Sequence, residues 1–123
     1  QRATITAVEA NPEVLNDMVS AFKNRRDLVV SLIKEIPGLK INVPEGAFYV
    51  FPDVSYFYGK SYNGTTIHNA SDLCMYLLND ALVALVSGDA FGDENCIRIS
   101  YATSDDLLHK AMERITNSLG KLR

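Results

Sequence analysis

The sequence predicts an α+β fold: a two-layer α/β sandwich with a small sheet, a long N-terminal helix of the interdomain type and a C-terminal helix. Three observations predict it. Apolar residues recur at helical spacing from Leu15 to Ile36, enough for a helix of about 25 residues or roughly 37 Å. Short runs at 39–43, 47–51 and 96–101 read as strands. A final amphipathic stretch sets Leu108, Ala111, Met112, Ile115 and Leu119 on one face. At 123 residues the chain can bury the core of one compact domain. Residues 1–36 are expected as interdomain helices and 37–123 as the sandwich.

Residues 1–10 (QRATITAVEA) read as the tail of a helix that began upstream. The start at Gln1, with neither a Met nor a cap, suggests a piece of a longer protein. Asn11-Pro12-Glu13 opens the long helix: Asn caps free amides, Pro suits the first turn, and Glu favours the positive end. Its stripe is Leu15, Met18, Phe22, Val29, Ile33 and Ile36, widened by Val14, Val19 and Val30, and Pro37-Gly38 ends it. Leu39, Ile41 and Val43 alternate with Lys40 and Asn42 as in a half-buried strand. After a turn at Pro44-Glu45-Gly46, residues 47–51 (AFYVF) are apolar on both faces, as a central strand is, and Pro52 closes it. Residues 53–66 form a polar and aromatic loop with no assigned element.

Ser71 is expected to cap a helix whose apolar face holds Leu73, Tyr76 and Leu77, with Met75 at its margin. Residues 81–86 (ALVALV) read as a short buried strand, followed by a loop at 87–92 carrying Gly88 and Gly92. In the strand at 96–101, Ile97, Ile99 and Tyr101 face one way, and Cys96, Arg98 and Ser100 the other. Thr103-Ser104-Asp105-Asp106 has capping-box spacing before the last helix, which Gly120 ends.

The net charge of −3, with Lys and Arg scattered, argues against a nucleic-acid surface. Lys23, Arg25 and Arg26 read as a solvated turn of helix. Cys74 and Cys96 lack metal-ligand spacing and read as buried thiols of an intracellular chain rather than a disulfide. With no apolar run of membrane-spanning length and no signal peptide, the expected location is cytoplasmic. His68 and His109 have no nucleophile and acid in a triad pattern. Tyr56, Phe57, Tyr58 and Tyr62 fit an interface and fit packing on their own core equally.

Arg98 carries the most information. An arginine inside a strand of Ile, Ser and Cys needs an anionic partner if buried, and its planar fork suits a carboxylate through two parallel hydrogen bonds. Read from the residues alone, it serves a ligand, pairs with an acid of its own domain, or faces solvent. The loop at 87–92 is either a wall of a site or a tight turn between strands.

Three stretches together carry a resemblance: VPEGAFYVFPDVS at 43–55, ALVALVSGDAFG at 81–92 and CIRISYATSDDLLHKAMERI at 96–115. In this order and spacing they resemble the C-terminal part of fold-type-I aminotransferases, closest to the aspartate aminotransferase branch. QRATITAVEA is similar to the segment that leads into the family's interdomain helix. The resemblance implies that Arg98 holds the α-carboxylate of the substrate. Gly46 and Phe48 would lie near the active site, and Phe91-Gly92 in a loop that closes toward it. Ser87 stands where the family usually has Pro.

The family's Schiff-base lysine, the Ser and Arg that hold its phosphate, and its Asp partner to the pyridine nitrogen would lie upstream of Gln1. The resemblance therefore implies pyridoxal phosphate in the intact enzyme but none on this chain, no catalytic residue or metal within it, and no activity alone. It also implies a large cofactor-binding domain as partner, amino-acid (aspartate first) and 2-oxo-acid substrates, and a homodimer when intact. Apolar surface should be exposed where the missing domain docks. The competing expectations are a free-standing carboxylate-binding regulatory domain and a pure interaction module.

Overall fold

The computed structural model describes residues 2–123, so the expectation placed on Gln1 lies outside the described residues. The first helix, α1 (Arg2–Glu9), buries no residue. Asn11 caps as expected, its side chain accepting from the Glu13 N–H at 3.1 Å. The turn it opens (Pro12–Leu15) is a tight 3₁₀ turn, and α2 begins only at Asn16 and runs to Lys34. The single long helix expected from the stripe is therefore divided, because Pro12 and the Asn11 cap hold the first turn tight. The stripe divides as well. Val29, Val30, Ile33 and Ile36 enter the core, whereas Val14, Leu15, Met18 and Val19 are exposed.

The sheet is antiparallel, with β1 (Tyr49–Val50) beside β5 (Ile97–Ser100) and β5 beside β4 (Val86–Ser87). The central strand is thus β5, not the 47–51 run, which pairs over two residues only. Pro52 does not end the pairing: it lacks a donor, but its carbonyl accepts from the Ile97 N–H at 3.1 Å. Asp53 then bridges both Lys40 and Cys96. The strand expected at 39–43 is reduced to that Lys40 bridge, and Val43 is exposed.

The expected buried strand at 81–86 is likewise absent apart from Val86, which begins β4. Leu82 is 72% exposed and left-handed, with φ 56°, so the chain turns outward after the preceding helix before reaching the sheet edge. Residues 53–66, left without an element above, contain a 3₁₀ turn (Ser55–Phe57) and a hairpin of β2 (Ser61–Tyr62) and β3 (Thr65–Thr66). Asn63 and Gly64 at its tip have φ of 47° and 81°, the paired left-handed angles that a two-residue hairpin turn requires. Asn-Gly is the sequence mark of that turn.

The cap of α3 (Ala70–Asp80) is Asn69, not Ser71: its side chain accepts from the Asp72 N–H at 2.8 Å. Cys74 takes the buried position on this helix and Met75 points to solvent. Ser104 precedes α4 (Asp105–Leu119) without a side-chain cap bond, and Gly120 ends it in a right-handed conformation, so neither expected cap device operates. The apolar face of α4 is as read: Leu108, Met112, Ile115 and Leu119 are buried.

Ile97, Ile99 and Val50 on one face of the sheet pack with α2, α3 and α4 into a single core. Burying that much apolar side chain supplies the main stabilisation of the sandwich. Both cysteines are free and buried, and burial raises each thiol to about 11.

Where α3 and α4 end together, the Tyr76 hydroxyl donates to the Ser118 carbonyl at 2.8 Å, while Asp80 accepts from Ser118 and from Lys121. The Lys121 hydrogen bond first, and then that of Ser118, hold the Asp80 carboxyl below the usual carboxylate range. A carboxyl depressed by folding stabilises fully above its unfolded value near 4, and the contribution is lost as pH falls through the lower folded value. Asp80→Asn should therefore flatten the acid limb of stability below about pH 4 and leave its shape near neutrality unchanged. Urea titrations of both forms across that range check this.

Candidate functional site

With the helices on the Ile97 and Ile99 face, alternation along β5 sends Arg98 and Ser100 to the opposite, open face. The register puts Val86 opposite Arg98 and Tyr49 opposite Ser100 on that same face. Two rings frame the guanidinium. Its central carbon lies 4.5 Å from the centroid of Phe91 and 5.5 Å from that of Tyr49. Each attracts a cation through its π-face, and together they hold the fork without neutralising it.

Arg98 pairs with no acid among the described residues. Among the described residues the ion pairs are Arg25–Asp105, Arg26–Asp27 and Lys121–Asp80, and Arg98 belongs to none. The internal ion pair left open by the sequence is thus not made.

Phe91 reaches Arg98 from a 3₁₀ turn (Gly88–Phe91) that follows β4 and ends at Gly92, left-handed at φ 91°. The turn is shut by backbone bonds: the Gly88 N–H donates to the Cys96 carbonyl at 2.8 Å, and the Gly88 carbonyl accepts from Asp93 at 3.3 Å. The ring of Phe51 meets Phe91 edge-on, with centroids 6.4 Å apart. Of the two readings of this loop, it is both a tight turn and a wall beside Arg98.

Gly46 and Phe48 line a hollow of about 500 Å³ with Met18, Val19, Phe22 and Tyr101, and Arg98 is not on its wall. Phe48 reaches the Arg98 face through Tyr49, whose ring it meets edge-on at 5.8 Å, and through its carbonyl, which accepts from the Ser100 hydroxyl at 3.4 Å. The Tyr101 hydroxyl donates to the Ala47 carbonyl at 3.0 Å and the Tyr101 N–H to the Phe48 carbonyl at 2.8 Å, anchoring Ala47 in its left-handed conformation. Sequence reasoning missed Tyr49 as a neighbour of Arg98. The GAFYVF run offered it as one of several aromatics, and only the strand register selects it.

His68 and His109 are both exposed, and among the described residues no cluster of His, Cys, Asp and Glu could hold a metal. Among those residues no helix is long and apolar enough to cross a membrane.

A guanidinium outside every ion pair of the described residues, on an open sheet face between two rings, has the donor geometry to take a carboxylate through two parallel hydrogen bonds. The family model for class I and II aminotransferases matches residues 1–115. The chain belongs to this aminotransferase family. It is 49% identical over 123 residues to the bifunctional aspartate aminotransferase and glutamate/aspartate-prephenate aminotransferase of Petunia hybrida, covering 97% of this chain and 26% of that protein. It is 45% identical to an aspartate aminotransferase of Pinus pinaster, covering 100% of this chain and 26% of that one. The crystal structure of an aspartate aminotransferase from Rhizobium meliloti matches with a TM-score of 0.91 at 43% identity, over 98% of this chain and 30% of its own.

The chain thus spans 26% of the length of the two plant aminotransferases. Aminotransferases of this family work with pyridoxal phosphate, whose aldehyde needs an amine and whose phosphate needs several donors. The residues around Arg98 are Tyr49, Phe91, Val86 and Ser100, with no amine among them. These residues do not fit the cofactor.

Proposed function

We propose that this chain is the C-terminal small-domain part of an aminotransferase that moves an amino group between an amino acid, aspartate first, and a 2-oxo acid. Residues 1–36 are its interdomain helices and 37–123 its sandwich. Pyridoxal phosphate belongs to a large domain outside this chain, and the whole enzyme is a cytoplasmic homodimer. Arg98 takes the α-carboxylate shared by both substrates, while Phe91 and Gly92 form a wall of that site and Gly46 and Phe48 lie at its margin.

The observation that carries the reading is the guanidinium of Arg98, outside every ion pair of the described residues and braced by Phe91 and Tyr49. Two parallel hydrogen bonds to a carboxylate remove rotation of the substrate about its own axis, which is how positioning lowers a barrier. The exposed Val14, Leu15, Met18 and Val19 add a second support, since a surface helix seldom leaves so much of its apolar stripe in water.

The test is transamination by the full-length protein that carries this segment. Aspartate with 2-oxoglutarate should yield oxaloacetate and glutamate at a kcat of about 1–1,000 s⁻¹, the ordinary range for enzymes. No amino transfer from any of a panel of acidic, aromatic and small neutral amino acids would overturn it.

A further inference from the structure

We propose that Asp89 is a positioning residue for the carboxylate site: it clasps the turn that carries Phe91 and so keeps that ring on Arg98. The inference rests on the reading of Arg98 as the carboxylate receptor. One oxygen of Asp89, Oδ2, accepts a hydrogen bond from the Ser87 hydroxyl at 2.7 Å and another from the Ser71 hydroxyl at 3.2 Å. Ser87 is the last residue of β4, Ser71 stands in the first turn of α3, and Asp89 lies within the 3₁₀ turn itself. A single carboxylate oxygen therefore ties the sheet edge, a core helix and the connecting turn into one unit.

The backbone of Ser87 sharpens the point. Its φ of −60° is the angle that a proline ring would impose covalently, and its ψ of 147° is extended. Serine has no such constraint, and a free chain would leave this region readily. The hydrogen bond from Ser87 to Asp89 supplies locally what a ring would otherwise supply. At the other end, the first turn of α3 presents the positive end of its dipole, where a carboxylate is favoured.

The clasp also decides where the charge of this turn goes. Asp89 is two residues from Phe91, yet its carboxylate is taken by hydroxyls and makes no ion pair with Arg98. An acid of the same turn that swung onto the guanidinium would compete with the substrate for the same fork. Asp89 thus both fixes Phe91 and leaves Arg98 free.

The experiment is steady-state kinetics of the full-length enzyme with aspartate and 2-oxoglutarate. Asp89→Ala should raise KM for both substrates about tenfold, the worth of one net hydrogen bond to a charged group, with kcat within about threefold. Asp89→Asn keeps an acceptor oxygen and should restore most of the affinity. In a Phe91→Ala background Asp89→Ala should add less than about twofold, because the two residues act on the same contact.

An unchanged KM in Asp89→Ala, with or without a lower melting temperature, overturns the clasp. So does an undiminished effect in the Phe91→Ala background. Should Asp89→Ala fail to fold, Ser71→Ala removes one arm at an exposed hydroxyl, and an unchanged KM there overturns the proposal equally. Arg98→Ala run alongside separates the two ideas. If it raises KM while Asp89→Ala does not, only the clasp fails; if neither does, the reading of Arg98 fails and the clasp with it.

Discussion

Replacing Arg98 by Ala in the full-length enzyme should lower kcat/KM by about 30- to 4,000-fold for every amino acid and every 2-oxo acid alike. Truncating one partner of a hydrogen-bonded charge pair in a site costs about 2–5 kcal/mol, and each 1.4 kcal/mol is tenfold. The uniformity across substrates is the discriminating part. An α-carboxylate is common to all of them, so a residue that binds it cannot choose among side chains. Arg98→Lys keeps the charge but loses the planar fork, and should recover only part of the loss. KM should rise because ground-state binding is lost, and kcat should fall because the substrate is held in several rotations instead of one.

The variant should remain folded. The guanidinium makes no ion pair within the described residues, so its removal leaves no buried charge unmatched. A kcat/KM within threefold of the parent, with folding intact, would remove Arg98 from the substrate site. So would a loss confined to one amino acid, which is what a side-chain pocket would give.

Why Arg98 could be singled out from the sequence, and its surroundings could not, follows from the range over which each kind of information acts. Alternation along CIRISY is local: once Ile97, Ile99 and Tyr101 are assigned to the core, Arg98 must stand on the other face. Of the rings that brace it, Tyr49 comes from far along the chain through the β1–β5 register, and Phe91, close in sequence, is turned back onto it by the turn after β4. Register depends on tertiary pairing, so Phe48 and Gly46, named by resemblance, proved to line a neighbouring hollow while Tyr49 took the position beside Arg98.

The same distinction explains the fold. The last helix and the Ile97–Ser100 strand are strongly periodic and stand where the pattern puts them. The runs 39–43 and 81–86 are apolar yet poor in partners, and pairing decides whether such segments become strands. The apolar run at the start of α2 was legible as a stripe but not as an exposed one, because exposure depends on what else is present to cover it.

Gly88→Ala should be the most destabilising small substitution near the site, at about 3 kcal/mol or a fall in melting temperature of roughly 10 °C. A methyl at Gly88 would lie 2.1 Å from the Asp93 carbonyl oxygen, 2.6 Å from that of Cys96 and 2.9 Å from the tip of Phe51. Two of these neighbours are backbone, and both belong to the segment that closes onto Gly88 through its own hydrogen bonds. The strain therefore cannot be relieved by rotating a side chain. Relief requires opening the turn, at about 1 kcal/mol for each backbone bond given up, in addition to the overpacking cost. Gly46→Ala is the control, because nothing lies within 4 Å of the added methyl there. Urea or thermal unfolding of the two variants should separate them clearly, and an unfolding midpoint for Gly88→Ala equal to that of the parent would mean that the turn is not packed as described. Because the same turn carries Phe91, any Gly88→Ala protein that remains folded should also bind aspartate more weakly. The coupling makes sense physically: a ring can hold a guanidinium in place only if the loop beneath it has no slack, and a position without a side chain lets two backbone carbonyls of the 93–96 segment approach closely enough to remove it.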